Sequence, residues 1–260
     1  MSAEAHSKPD LDWHLPRWIA HRGAGKLAPE NTLAAFRLGA SYGYRAFECD
    51  VKLSADDLPF LLHDPTLERT TSGTGVASER DWAHLSCLDA GGWHSRSFAG
   101  ECLPCLAAIA SYVQRNGFDL NIEIKPTPGT DERTGRLVAL AVQRLWLGQA
   151  RQPLLSSFQA EALRAAMRAA PGLPRALLLD RLSPDWHDLA LDLQCRAVVT
   201  HFRLMDAAVI AQLHASGMRG LVYTVNDADE ARRMLDLGVD ALITDAVDLF
   251  SPTLTAPLSS

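Results

Sequence analysis

Two short runs of the chain place carboxylates where a buried strand would ordinarily be apolar. In FECDVK successive side chains alternate faces, so Phe47, Cys49 and Val51 share one side and Glu48, Asp50 and Lys52 the other. NIEIK repeats the pattern, with Ile122 and Ile124 on one face and Glu123 and Lys125 opposite. An ionised carboxylate on a strand covered on both faces costs on the order of several kcal/mol unless it is paired, hydrogen-bonded or bound to metal. Glu48, Asp50 and Glu123, with no His or Cys among them, make a hard oxygen set suited to one divalent ion, Mg²⁺ or Ca²⁺, rather than zinc. Ion pairs with Lys52, Lys125 or Arg22 are the competing account; the origin of the carboxylates at the ends of different strands favours a site. A divalent cation, Lys125 and Arg22 would balance the three carboxylates plus one phosphodiester, so metal and an anionic phosphoester should support each other's binding.

His21 closes the first apolar run and His63 follows Pro59 to Leu62. Alone, each reads as a hydrogen-bonded core or loop histidine. Together, beside the proposed metal strands, they can divide general-base and general-acid roles, each worth about a hundredfold to ten-thousandfold in rate. The sequence leaves open which takes which role. His201 ends a later strand at the same rim and is expected to be a minor substrate contact.

The glycine-rich loop AHRGAGKLAPENT, residues 20–32, also meets the spacing of a dinucleotide-binding turn, and Glu48 and Asp50 follow at about the distance of a ribose-binding carboxylate. Pro29, however, falls where the opening helix of that motif would already be under way, and the PENT turn moves the helix start to Asn31 or Thr32. No GK[ST] or HxH pattern occurs. Cys102 and Cys105 form a lone CxxC without a second Cys or His pair, and read as packing residues.

Positioning these groups falls to an alternation of elements. RWIAH, RAFECDVK, LNIEIK, PLLSS, RALLL, RAVVTH, LVYTV and DALIT are candidate strands, with helical patterns at 32–42, 133–147, 160–169, 206–216 and 227–237 between them. Eight strands alternating with helices in one domain of this size favour a TIM (β/α)8 barrel, expected over residues 17–250. Residues from about 64 to 103 are turn-rich and aperiodic, and are expected to form a small insertion after the second strand, over the mouth that carries active sites in this fold. Residues 1–16 and 251–260 are expected to be a flexible segment and a tail.

The chain has 260 residues, 47% hydrophobic and 22% charged, so it can bury a large core. A net charge of -6 without a basic face argues against nucleic acid or an anionic membrane as a stable partner. Five cysteines, an odd number, and the absence of an export signal or a membrane-length apolar run point to a reducing, cytoplasmic setting. The oligomeric state is not legible.

HRG followed by PENT, E.D on the second strand, HD after it and then EIK resemble the glycerophosphodiester phosphodiesterase family, and the likeness covers nearly the whole chain. LERTTSGTG, LDAGGW with GECLPCL, SSF and YTVND support it by order and spacing. The resemblance implies a small-molecule glycerophosphodiester substrate, hydrolysed to glycerol 3-phosphate and an alcohol. It assigns His21 and His63 as the acid/base pair, Glu48, Asp50 and Glu123 as ligands of one Mg²⁺ or Ca²⁺, and Arg22 and Lys125 as phosphate contacts. Glu30 and Asn31 would brace the first loop, and Phe158 and Tyr223 would line the glycerol or alcohol side. Two departures stand out: Tyr223 replaces the family's usual tryptophan, and TDAVD lacks the usual proline turn. The rival readings are a phospholipase-like barrel acting on intact lipid through an insertion bearing Trp82, Trp93 and Phe98, and a non-catalytic barrel binding phosphate esters or nucleotides.

Overall fold

The computed structural model describes residues 15–250 and 252. Its strands are β1 (Trp18–Ala20), β2 (Ala46–Leu53), β3 (Pro59–Leu61), β4 (Asp119–Ile124), β5 (Leu154–Ser157), β6 (Arg175–Leu179), β7 (Ala197–His201), β8 (Arg219–Tyr223) and β9 (Ala241–Thr244). All except β3 run parallel in the order β1, β9, β8, β7, β6, β5, β4, β2, and pairing of β1 with β2 closes them into a TIM barrel. That closure is slight. β2 and β4 share six in-register pairs, whereas β1 meets β2 only at Ala20 and Phe47.

Strand alternation sorts the core into two layers. Phe47, Cys49, Val51, Ile122, Ile124, Val198 and Val222 face the surrounding helices. Ile19, Ala46, Leu154, Leu178, Val199, Leu221 and Ile243 fill the barrel. Each large side chain removed from water contributes about 1.5–3 kcal/mol, so this two-sided burial is the main force holding the strands in register.

The helices are α1 (Leu33–Ser41), α2 (Trp82–Leu85), α3 (Leu106–Asn116), α4 (Asp131–Leu145), α5 (Ala160–Ala169), α6 (Trp186–Asp192), α7 (Ala207–Ala215) and α8 (Ala228–Asp236). The Thr32 side chain caps α1 by accepting from the Ala35 N–H at 3.2 Å, which places the helix start after the PENT turn. Among the described residues no helix is long and apolar enough to cross a membrane.

Several expectations change. The excursion begins earlier than residue 64, because Pro59–Leu61 folds back antiparallel on the end of β2, with Lys52 opposite Phe60. It carries a small core of its own, including Phe60, Leu67, Leu85, Leu88 and Leu103. Helices α3 and α6 lie where no helix was expected. The strand read as LVYTV runs two residues earlier, at Arg219–Tyr223, although the Val225 N–H still bonds the Ile243 carbonyl of β9 at 2.9 Å. Cys105 is half-buried opposite Phe60, but Cys102 is exposed, so only one cysteine of the pair packs. The expected flexible segment 1–16, apart from residues 15 and 16, and the expected tail 251–260, apart from residue 252, lie outside the described residues.

Candidate active site

The register of β2 against β4 brings the acidic groups together. Glu48 lies opposite Asn121 and Asp50 opposite Glu123, all directed into the barrel. Strands about 4.8 Å apart make such neighbours converge, and one oxygen from each of Glu48, Asp50 and Glu123 lies within 4.8 Å of the others. All three are buried, at 3%, 1% and 9% exposure.

Basic groups neutralise this cluster unevenly. Asp50 lies 3.3 Å from both Arg22 Nε and Lys125 Nζ, and its Oδ2 accepts from Asn31 Nδ2 at 2.8 Å. Burial alone would raise its pKa, but Lys125 and Arg22 hold it well below the usual carboxylate range. Glu123 accepts from Lys125 Nζ at 3.0 Å, yet burial and then the neighbouring Asp50 push its carboxyl up to about 7. Glu48 accepts only the Arg22 backbone N–H at 3.1 Å and stands 3.7 Å from His21 Nε2. Burial, then repulsion from Asp50 and Glu123, drive it well above the ordinary value. Ion pairs therefore account for Asp50 and leave Glu48 uncompensated. The Asp50 Oδ1 atom is buried and makes no hydrogen bond, with the Lys125 ammonium 3.3 Å away as its ion-pair partner. Three close carboxylates, two of them with a raised proton affinity, fit a hard divalent cation.

The first loop is built to present these groups. Arg22 and Asn31 adopt the left-handed backbone region at φ 51° and 60°. Such conformations cost about 1–3 kcal/mol and need compensation. For Asn31 it comes from bonds to Asp50 in both directions, since Asn31 Oδ1 also accepts the Asp50 N–H at 3.1 Å. Arg22 is held by Glu30 at 2.8 Å, and Glu30 is in turn paired with Arg69 at 2.8 Å. Gly25, at φ 56°, lies so close to the Asp245 backbone that a Cβ would overlap it. Gly25 thus serves close packing, and α1 opens at Leu33 after the Thr32 cap rather than on the glycine turn, which weighs against the dinucleotide reading of the loop.

Each histidine is backed by a carboxylate. His21 Nδ1 lies 2.6 Å from Asp245 Oδ1, and His63 Nδ1 lies 2.7 Å from Asp64 Oδ1. Donation from Nδ1 leaves Nε2 as the exchanging atom on either ring. Burial lowers the His63 pKa, Arg22 and Lys125 lower it further, and Asp50 and Asp64 oppose them.

A cavity of about 190 Å³ is lined by the polar His21, Arg22, Glu48, His63, Glu123 and Lys125 and by the largely apolar Phe158, Leu178, Tyr223 and Ile243. The Phe158 and Tyr223 rings meet edge to face at 5.8 Å, with Lys125 Nζ 6.0 Å from the Phe158 centroid. Glu30 and Asn31 brace the loop beneath Arg22. His201 is not among the cavity-lining residues; it stacks on Phe202 at 4.5 Å and meets Tyr223 at 5.9 Å. In the insertion, Trp82 packs on the small core and Phe98 on the main one, leaving Trp93 as the exposed aromatic at 41%.

Sequence reasoning passed over Asp64, Arg69, Asn121, Asn226 and Asp245. Asp64 directly follows His63 in the HD pair, and Asp245 immediately follows the last strand, where a carboxylate in this fold is a signal in itself. Asn121, on the same strand face as Glu123, lines the cavity with its side-chain oxygen buried and unbonded. Arg69 and Asn226 lie in LERTTSGTG and YTVND, stretches read for their order and spacing without a role assigned to either residue.

Comparison with known proteins places this geometry. Residues 21–249 match the glycerophosphoryl diester phosphodiesterase family. A glycerophosphodiester phosphodiesterase of Caldanaerobacter subterraneus is 32% identical over 232 residues, covering 87% of this chain and 93% of its own. A phosphodiesterase of Oleispira antarctica, solved in complex with the product sn-glycerol-3-phosphate, superposes with a TM-score of 0.83 at 33% identity, covering 89% of this chain and 94% of its own. The glycerophosphodiester phosphodiesterase of Agrobacterium tumefaciens gives a TM-score of 0.77 at 28% identity, covering 91% of this chain and 99% of its own.

Proposed function

This chain belongs to the glycerophosphoryl diester phosphodiesterase family, and from that premise we propose that it hydrolyses glycerophosphodiesters to sn-glycerol 3-phosphate and an alcohol with the help of one divalent cation, Mg²⁺ or Ca²⁺. The observation that carries the reading is the convergence of three buried carboxylates within 4.8 Å, two of which, Glu48 and Glu123, line one cavity with the carboxylate-backed His21 and His63.

In this reading Glu48, Asp50 and Glu123 hold the cation. Bound there, it would act as a Lewis acid on a phosphoryl oxygen and lower the pKa of a coordinated hydroxyl. Arg22 and Lys125 keep donors directed at the cavity and bind the remaining phosphate oxygens, offsetting charge as it builds during displacement. One histidine takes the proton of the attacking hydroxyl at Nε2, and the other donates a proton to the departing alcohol. Water and the substrate's own glycerol hydroxyl both suit that base; the second route passes through a cyclic phosphate, which rapid quenching would trap. Phe158 and Tyr223 form the apolar wall against which the organic part of the diester packs. We read residues 17–250 as a single catalytic domain. Free thiols at all five cysteines support a cytoplasmic setting, and the acidic net charge supports neither nucleic acid nor membrane as a stable partner. The inward packing of Trp82 and Phe98 weighs against a loop built to enter lipid.

The test is release of glycerol 3-phosphate from a panel of glycerophosphodiesters after stripping with chelator, with Mg²⁺ and Ca²⁺ restored in turn. Undiminished turnover in excess chelator would remove the metal. Binding of the diesters without any turnover would favour the non-catalytic barrel.

A further inference from the structure

We propose that Asp245 is a positioning residue for His21, fixing the tautomer and aim of its ring, and that Asn226 holds Asp245 in place for this purpose. The inference rests on the reading of His21 given above and adds to it a second pair of residues, from the far end of the chain.

The contact of 2.6 Å between His21 Nδ1 and Asp245 Oδ1 is at the short end for a nitrogen donor on a carboxylate, as expected of a charge-assisted bond. Asp245 is itself fixed from two sides. Its Oδ2 accepts from Asn226 Nδ2 at 3.1 Å, and its backbone N–H donates to Asn226 Oδ1 at 2.8 Å, so one carboxamide grips both ends of the residue. The Thr244 hydroxyl donates to the same Asn226 Oδ1 at 3.3 Å. The His21 backbone is tied to this strand end as well, its N–H donating to the Thr244 carbonyl at 2.9 Å. On the other side the Lys26 N–H donates to the Asp245 carbonyl at 3.2 Å, with Gly25 packed against the Asp245 backbone. With Nδ1–H committed to the carboxylate, Nε2 lies 3.7 Å from Glu48 Oε2 and beside the cavity.

His63 is held differently, and the contrast sharpens the assignment. Its partner Asp64 is the adjacent residue and is shared with Arg69, whose Nε and Nη2 donate at 2.6 Å and 3.0 Å. A guanidinium already engages that carboxylate. Asp245 is held by a neutral carboxamide, so its charge remains directed at the imidazole. A carboxylate placed in this way favours the Nδ1–H tautomer and stabilises the ring when Nε2 holds a proton; a carboxamide in its place could instead donate to Nδ1 and invert the tautomer.

The experiment compares Asp245→Asn, His21→Ala and the double variant in metal-loaded protein, using one glycerophosphodiester and measuring kcat and KM separately. Asp245→Asn should lower kcat by about a hundredfold or more. KM and the calorimetric affinity for the cation should stay within about threefold, because no cation or phosphate contact is changed. The two lesions should not multiply: the double variant should fall within about threefold of His21→Ala, since Asp245 acts only through that ring. A downfield imidazole proton resonance seen in the unsubstituted protein should vanish in both single variants. Asn226→Ala, which leaves the carboxylate in place, serves if Asp245→Asn does not fold; it should produce a smaller kcat loss that likewise disappears on the His21→Ala background. Full turnover by His21→Ala would overturn the reading of the site. A crippled His21→Ala with near-normal Asp245→Asn and Asn226→Ala, or losses that multiply in the double variants, would overturn the positioning role alone.

Discussion

Replacing Glu123 by Gln should make the metal-free protein more stable at neutral and alkaline pH while removing its response to metal. The Glu123 carboxyl is pushed from an ordinary 4.5 up to about 7 by burial and by Asp50. Each tenfold change in proton affinity is worth about 1.4 kcal/mol, so ionising this group in the folded, metal-free chain costs about 3 kcal/mol more than in the unfolded one. The sign follows from the raised value: the folded state holds the proton longer, so stability is lost as pH rises from about 4.5 to about 7 and is level above that range. Glutamine mimics the protonated acid and keeps an oxygen for the Lys125 donor 3.0 Å away, so the variant escapes the loss. For a domain of this size about 3 kcal/mol corresponds to roughly 6–12 °C in Tm. Thermal unfolding by circular dichroism, after stripping with chelator, should show the two proteins close together near pH 4.5 and the variant ahead at pH 8. Adding Mg²⁺ or Ca²⁺ at pH 8 should raise the Tm of the unsubstituted protein by mass action and leave the variant nearly unmoved. A variant less stable than its parent at pH 8 without metal, or equally stabilised by metal, would refute the electrostatic account of the cluster.

Further outcomes follow from the same geometry. Cation affinity should increase with pH through about 7, because binding expels the proton that Glu123 holds up to that pH and the one that Glu48, also raised, retains; calorimetry that finds a pH-independent affinity and no proton release would contradict this. His63→Ala should cut turnover by about a hundredfold or more while calorimetric cation affinity persists, and near-normal turnover would remove His63 from the proton transfers. Gly25→Ala should lower Tm and turnover together, because its φ of 56° and the neighbouring Asp245 backbone leave no room for a methyl group; an unchanged Tm would show that the loop relaxes freely.

What was legible in the sequence was whatever depends on strand period. Glu48, Asp50 and Glu123 stood out because charge alternating with apolar residues on a two-sided strand has few physical explanations. His21 and His63 were found by proximity to those strands. Asp245 escaped notice because its bond to His21 spans 224 positions, which barrel closure alone brings together. Arg69 lies in a turn-rich stretch whose path over the mouth is set by a separate small core rather than by any period. Helix α3 was obscured by its start, three residues after Leu103, at the edge of that aperiodic stretch, and α6 by being only seven residues long and following Pro184. The end of β8 was misplaced because Thr224 and Val225 have strand propensity, and Val225 still bonds Ile243 of β9, although the strand itself ends at Tyr223.

The narrow junction of β1 with β2 gives the polar groups a second duty. With a single residue pair knitting those staves, the hoop is riveted there by the Arg22 N–H on Glu48, the reciprocal Asn31 and Asp50 bonds, and the Arg22–Asp50 ion pair. A chain that lost Glu48 or Asp50 would also need another way to keep its barrel shut, which ties these two carboxylates, though not Glu123, to mechanical integrity as well as to turnover.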